Sequence, residues 1–101
     1  MIIYNVTVKI EHDLHEDWLN WMRHTHIPDV LATGLFTGHR ISKVLGDDDA
    51  HGVTYAIQYE CPDLDTFLQY QQQHAARLQA DHARRYQDKY VAFRTLLEVV
   101  G

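Results

Sequence analysis

Residues 2–10 alternate strictly: Ile2, Tyr4, Val6, Val8 and Ile10 share one face, and Ile3, Asn5, Thr7 and Lys9 the other. A period of two marks a strand with one buried face, and it commits the N-terminus to a sheet. The same period returns at 53–60, where Val53, Tyr55, Ile57 and Tyr59 oppose Thr54, Ala56, Gln58 and Glu60. It returns again at 89–100, with Val91, Phe93, Leu97 and Val99 expected inward and Ala92, Arg94 and Leu96 on the other face. A fourth strand is expected over 36–45, joined to the 53–60 strand by the polar hairpin loop 46–52.

Between the strands lie two helical patterns. Asp13 with Glu16 reads as a capping box, and a helix should run to about Thr25 with Leu14, Trp18, Trp21, Met22 and Thr25 towards one side. Pro28 lacks an N–H and disfavours helical geometry at Ile27, so the sequence predicts an interruption at His26-Ile27-Pro28 and an end at Gly34. Asp63 is the expected N-cap of the second helix, with Leu64, Phe67, Leu68, Ala75 and Leu78 as its stripe. That helix should reach about Tyr86, with a break near His74. The order β-α-β-β-α-β predicts one α+β domain over residues 1–101, a ferredoxin-like antiparallel sheet with both helices on one face.

The helices leave one sheet face uncovered. Alternation assigns it Ile3, Asn5, Thr7, Arg40, Ser42, Ala56, Gln58, Ala92, Arg94 and Leu96. This mixture of small, apolar and hydrogen-bonding side chains suits burial against a second sheet around a polar cavity. A second copy of the chain is the simplest source of that sheet, giving a homodimer through the sheet face and the C-terminal strand. An open solvated sheet is the alternative.

Charge narrows the partners. A net charge of −5 argues against nucleic acid and anionic membranes, both of which select basic surfaces. The segment Gly52-Val-Thr-Tyr55-Ala-Ile-Gln-Tyr59 faintly resembles the aromatic motif of RNA-recognition domains, but His51 stands where that motif carries a basic residue. Cys61 is the only cysteine, which suits a reducing cytoplasm. No apolar run is long enough to span a bilayer, and the N-terminus lacks the basic region of a signal peptide. Eight histidines invite a metal, yet no HExxH or cysteine cluster occurs, His24 and His26 fall on different sides of a helix, and His12 and His15 straddle a strand end and a cap, so no metal is expected. With no Gly-rich phosphate loop either, no other cofactor is expected.

His26 is the leading chemical candidate. A neutral imidazole at a helix break can act as a general base on an acidic C–H or O–H. The plainer role is to hydrogen-bond backbone freed by the Pro28 kink. Arg94, in mid-strand, can fork onto a carboxylate or enolate, or pair with Glu60 or Glu98. Asn5, Gln58 and Arg40 would complete a ligand-binding lining. Trp21 is a candidate stacking wall, although Trp18 and Trp21 read first as packing.

The topology, the His26-x-Pro28 element and the strand Val91-Ala-Phe-Arg94-Thr-Leu-Leu-Glu98-Val-Val100 resemble the dimeric α+β barrel superfamily. That group includes antibiotic-biosynthesis and haem-degrading monooxygenases, muconolactone isomerases and polyketide cyclases. Three segments, Met1–Lys9, His26–Phe36 and Val91–Leu96, more closely resemble a small bacterial family of unknown function. The resemblance implies a homodimer. For an enzyme it implies cofactor-independent proton transfer or oxygenation, with His26 as base and Arg94 stabilising developing charge. The competing reading is a noncatalytic dimeric or ligand-sensing module.

Overall fold

Four antiparallel strands form one sheet in the order β2-β3-β1-β4 in the computed structural model, which describes residues 1–47 and 50–101. The strands are β1 (Ile2–Glu11), β2 (Gly38–Lys43), β3 (Gly52–Cys61) and β4 (Tyr90–Glu98). With helical connections after β1 and β3, this is the ferredoxin-like α+β fold. Asp48 and Asp49 of the expected hairpin loop lie outside the described residues.

The first helical stretch is unbroken. A 3₁₀ turn (His12–Leu14) leads into α1 (His15–Trp21), a π-turn (Met22–His26) and α2 (Ile27–Leu31). The expected interruption at Pro28 is therefore absent, and Ile27 is helical at φ −61°, ψ −46°. Pro28 falls in the first turn of α2, where a missing N–H costs least, and the wider π-turn before it makes room for the ring. The expected capping box is absent too. Asp13 sits inside the 3₁₀ turn, and neither it nor a neighbour caps α1 with a side chain. Gly34 ends the stretch at φ +77°, a left-handed conformation that glycine adopts without strain.

The second stretch repeats this design: α3 (Leu64–Tyr70), a π-turn (Gln71–Ala75) and α4 (Ala76–Arg85). Asp63 caps it as expected, accepting from the Thr66 N–H at 2.8 Å and from its hydroxyl at 2.7 Å. The buried stripe is Phe67, Tyr70, Ala75, Leu78 and His82, whereas Leu64 and Leu68 remain largely exposed.

The core lies between the helices and one sheet face. Tyr4, Val8 and Ile10 of β1 and Val53, Tyr55, Ile57, Tyr59 and Cys61 of β3 meet Trp18, Met22, Ile27, Val30, Phe67, Tyr70 and Leu78. Tyr4 is the aromatic hub, with ring centroids at 5.0 Å from Phe67, 5.9 Å from Tyr70 and 6.0 Å from Tyr59.

The last strand has the opposite phase to that expected. Tyr4 pairs with Leu96, Val6 with Arg94, Val8 with Ala92 and Ile10 with Tyr90. Directly paired residues share a face, so Tyr90, Ala92, Arg94 and Leu96 point towards the helices. Val91, Phe93 and Leu97 lie on the open face, 70%, 63% and 42% exposed. Hydrophobicity alone misassigns this strand because its more apolar side is the one the protomer leaves uncovered.

Candidate active site

The phase of β4 brings Arg94 to the helix side, where its Nε donates to the Tyr4 hydroxyl at 3.1 Å. Arg94 then lines an inner cavity of about 30 Å³ with His26, His82, Tyr4, Tyr59 and Tyr70. An outer trough of about 240 Å³ continues from it, walled by Phe67, Leu68, Tyr70, Ala75 and Leu96. Tyr4, Tyr70, Gln79 and Arg94 border both spaces.

The π-turn after α1 separates the two nearby histidines by role. His24 Nδ1 lies 2.9 Å from the Asn20 carbonyl, which only accepts, so Nδ1 carries the proton. His24 thus bonds a backbone carbonyl one turn before it, which is not one that Pro28 frees. The His26 ring instead stacks on Trp21, with centroids 5.0 Å apart and planes at 26°, and stands edge-on to His82 at 5.8 Å. Among the described residues, no hydrogen bond engages its ring nitrogens. Burial lowers its pKa below the ordinary histidine value; Asp29 and Asp81 oppose that shift, and Arg94 adds to it. A neutral, uncommitted imidazole beside a cavity can accept a proton near neutral pH.

His82 is the residue that sequence reasoning missed. It is 7% exposed, and its Nε2 accepts from the Trp18 indole N–H at 2.8 Å. Nε2 is thereby an acceptor, and the neutral ring carries its proton on Nδ1. Burial, His26 and Arg94 lower its pKa to about 4. Tyr90 closes over it, edge-on at 4.4 Å. The available signal was its position on the stripe Ala75-Leu78-His82, where a titratable side chain occupies an apolar face.

Arg94 has no carboxylate within ion-pair distance among the described residues, so the expected pairing with Glu60 or Glu98 does not form. Burial raises the pKa of Tyr59 and Tyr70, which keeps both phenols neutral.

The other expected lining residues lie elsewhere. Asn5 pairs with Gln58, and Gln58 with Arg40, in a polar row that Thr95 extends across the open face. The sheet separates these three side chains from His26 and Arg94, so the single lining expected for all five does not exist. The helical stretch holds His26 on its own side of the sheet, and the reversed phase of β4 moves Arg94 out of the open-face row to join it. Trp21 stands behind His26 instead of lining the cavity, held between that ring and the Arg85 guanidinium at 5.6 Å. No group of three or more His, Cys, Asp or Glu side chains suited to a metal occurs among the described residues. No helix there is long and apolar enough to cross a membrane.

Comparison with known proteins extends these observations. The profile of a domain of unknown function, DUF4286, matches residues 1–100. No curated protein matches in sequence. A dimeric ferredoxin-like protein from an uncultured marine organism superposes with a TM-score of 0.72 at 11% identity, over 100% of this chain and 96% of its own. A mutant of MhuD with two manganese protoporphyrin IX molecules bound per active site gives 0.72 at 12% identity, over 99% and 95%. SnoaB, a cofactor-independent oxygenase from Streptomyces nogalater, gives 0.60 at 13% identity, over 97% and 92%. At these identities the likeness establishes the fold alone.

Proposed function

We propose that this chain, which belongs to the DUF4286 family, is a homodimeric protein that binds a small organic anion in the helix-side cleft. Arg94 is the anion's partner and His26 the proton acceptor. The observation that carries this reading is the convergence on one cavity of a guanidinium and an imidazole that have, among the described residues, no carboxylate partner and no ring hydrogen bond respectively. An exposed cation whose partner among the described residues is a neutral hydroxyl and not a carboxylate is suited to an external anion, and its planar fork matches a carboxylate or enolate.

Turnover, on this reading, is proton transfer without a cofactor. His26 removes a proton from an acidic C–H or O–H, and Arg94 stabilises the negative charge as it develops. SnoaB, of the same fold, is described as a cofactor-independent oxygenase, so the architecture is compatible with such chemistry. The homodimer rests on the open face, whose Val91, Phe93 and Leu97 form an apolar strip beside the small Thr7 and Ala56. The dimeric description of a structural relative is consistent with it. A noncatalytic ligand sensor is the second reading, favoured by the small volume of the inner cavity beside His26.

Calorimetric titration with benzoate, an aromatic carboxylate, tests the proposal. Arg94→Gln should weaken binding about tenfold or more, the loss expected for a charge-assisted hydrogen bond of roughly 1.5–3 kcal/mol. Equal affinity of the variant and the natural protein would remove Arg94 from the site. If His26→Gln retains binding but loses the uptake of a proton from buffer that accompanies it, His26 is the group protonated in the complex and its role as proton acceptor is supported. If both are retained, the sensing role is favoured.

A further inference from the structure

The two parts of the cleft differ in what they can hold. A buried water needs about 10–15 Å³ and two to four polar partners, whereas a cavity of about 150 Å³ is of the size that admits benzene. The inner cavity, at about 30 Å³, is too small for an organic ring and large enough for water. Its wall supplies the polar groups of His26, His82, Tyr59, Gln79 and Arg94. The outer trough, at about 240 Å³, exceeds the size needed for a ring, and its wall is largely apolar. Arg94 borders both spaces, so one guanidinium can face a ligand in the trough and water behind it.

We propose that the ligand lies in the outer trough with its acid group on Arg94, while the inner cavity holds one or two waters through which His26 receives the ligand's proton. This rests on the preceding reading that the cleft is the ligand site. The ligand class is an aromatic or branched aliphatic carboxylate carrying a second acidic C–H or O–H. In the transfer, that bond breaks towards a water oxygen as one water O–H breaks towards the His26 nitrogen. The water is restored, the electron pair stays on the ligand, and His26 carries the proton. Leu68 and Leu96, 40% and 43% exposed at the mouth, are apolar side chains that such a ligand body would cover.

Filling each compartment separately tests this. Leu96→Trp fills the trough from its rim, and Ala92→Val fills the inner cavity from β4. Benzoate binding by calorimetry should weaken at least tenfold in Leu96→Trp and stay within about twofold in Ala92→Val. Crystals of the natural protein should show one or two waters beside His26, lost in Ala92→Val. If Leu96→Trp fails to fold, Gln71→Trp obstructs the opposite wall. A larger loss in Ala92→Val than in the trough variant, or a dry inner cavity, would overturn the two-compartment arrangement. Binding that neither filling nor Arg94→Gln disturbs would instead overturn the cleft as the ligand site.

Discussion

Two histidines two positions apart do different work because the π-turn gives their rings different neighbours. His24 reaches back to the Asn20 carbonyl, and His26 turns to Trp21, His82 and the cavity. His26→Gln should therefore keep the protein folded, with an unchanged circular dichroism spectrum, and lose proton uptake on ligand binding. Unfolding would make the ring a structural tie. His82 carries a prediction about stability. Its imidazole resists protonation down to about pH 4 in the folded protein, whereas the unfolded chain takes up that proton near pH 6.5. Between those values the unfolded state binds more protons. Stability is thus full above pH 6.5 and falls as the pH drops towards 4, by roughly 3 kcal/mol from this group. Urea unfolding at pH 7.5 and 4.5 should show the fall, and His82→Gln should flatten it. His26 and Arg94 were legible in sequence as chemical residues on a strand and near a proline. His82 was not, because a histidine on an apolar stripe reads like any satisfied core polar group until its partners are known.

At the scale of elements, the presence of both helical stretches and of all four strands was readable, and the phase of the edge strand β4 was not. β1 and β3 are flanked by partners on both sides, so their buried faces follow their apolar periods. β4 is an edge, and its phase is set by pairing with β1, including Ile10 with Tyr90, and by the Lys89 N–H to the Tyr86 carbonyl at 2.9 Å. Backbone pairing therefore outranks hydrophobicity there and carries Arg94 to the helix side. Pro28 is the other misleading signal: a π-turn accommodates it without breaking the helix, and a proline rule does not anticipate that. Asp63, by contrast, caps α3 as its sequence position predicts. Asp63→Ala should lower the melting temperature modestly, whereas Asp63→Ser or Asp63→Asn should retain most of it, because those side chains still accept from the Thr66 N–H. Equal melting of all three variants would deny the cap a stabilising role.

At the scale of the molecule, the sheet divides two tasks between its faces. The helix face carries the buried His82, the partly buried His26 and the exposed Arg94; the open face presents Phe93, Val91 and Leu97 beside the row Arg40-Gln58-Asn5-Thr95. An exposed apolar edge strand is an aggregation liability unless something covers it, and a second copy is the simplest cover. Light scattering at pH 7.5 should give about twice the 11.8 kDa chain mass, and Phe93→Glu should give the chain mass itself. A monomeric natural protein would remove the dimer. The proposed ligand site is on the other face. Backbone amide shifts during a benzoate titration test it most directly. Perturbations centred on Tyr4, Tyr70, Arg94 and Leu96 are expected for a ligand in the helix-side cleft. Perturbations centred on Asn5, Gln58 and Arg40 would place the ligand on the open face and contradict it.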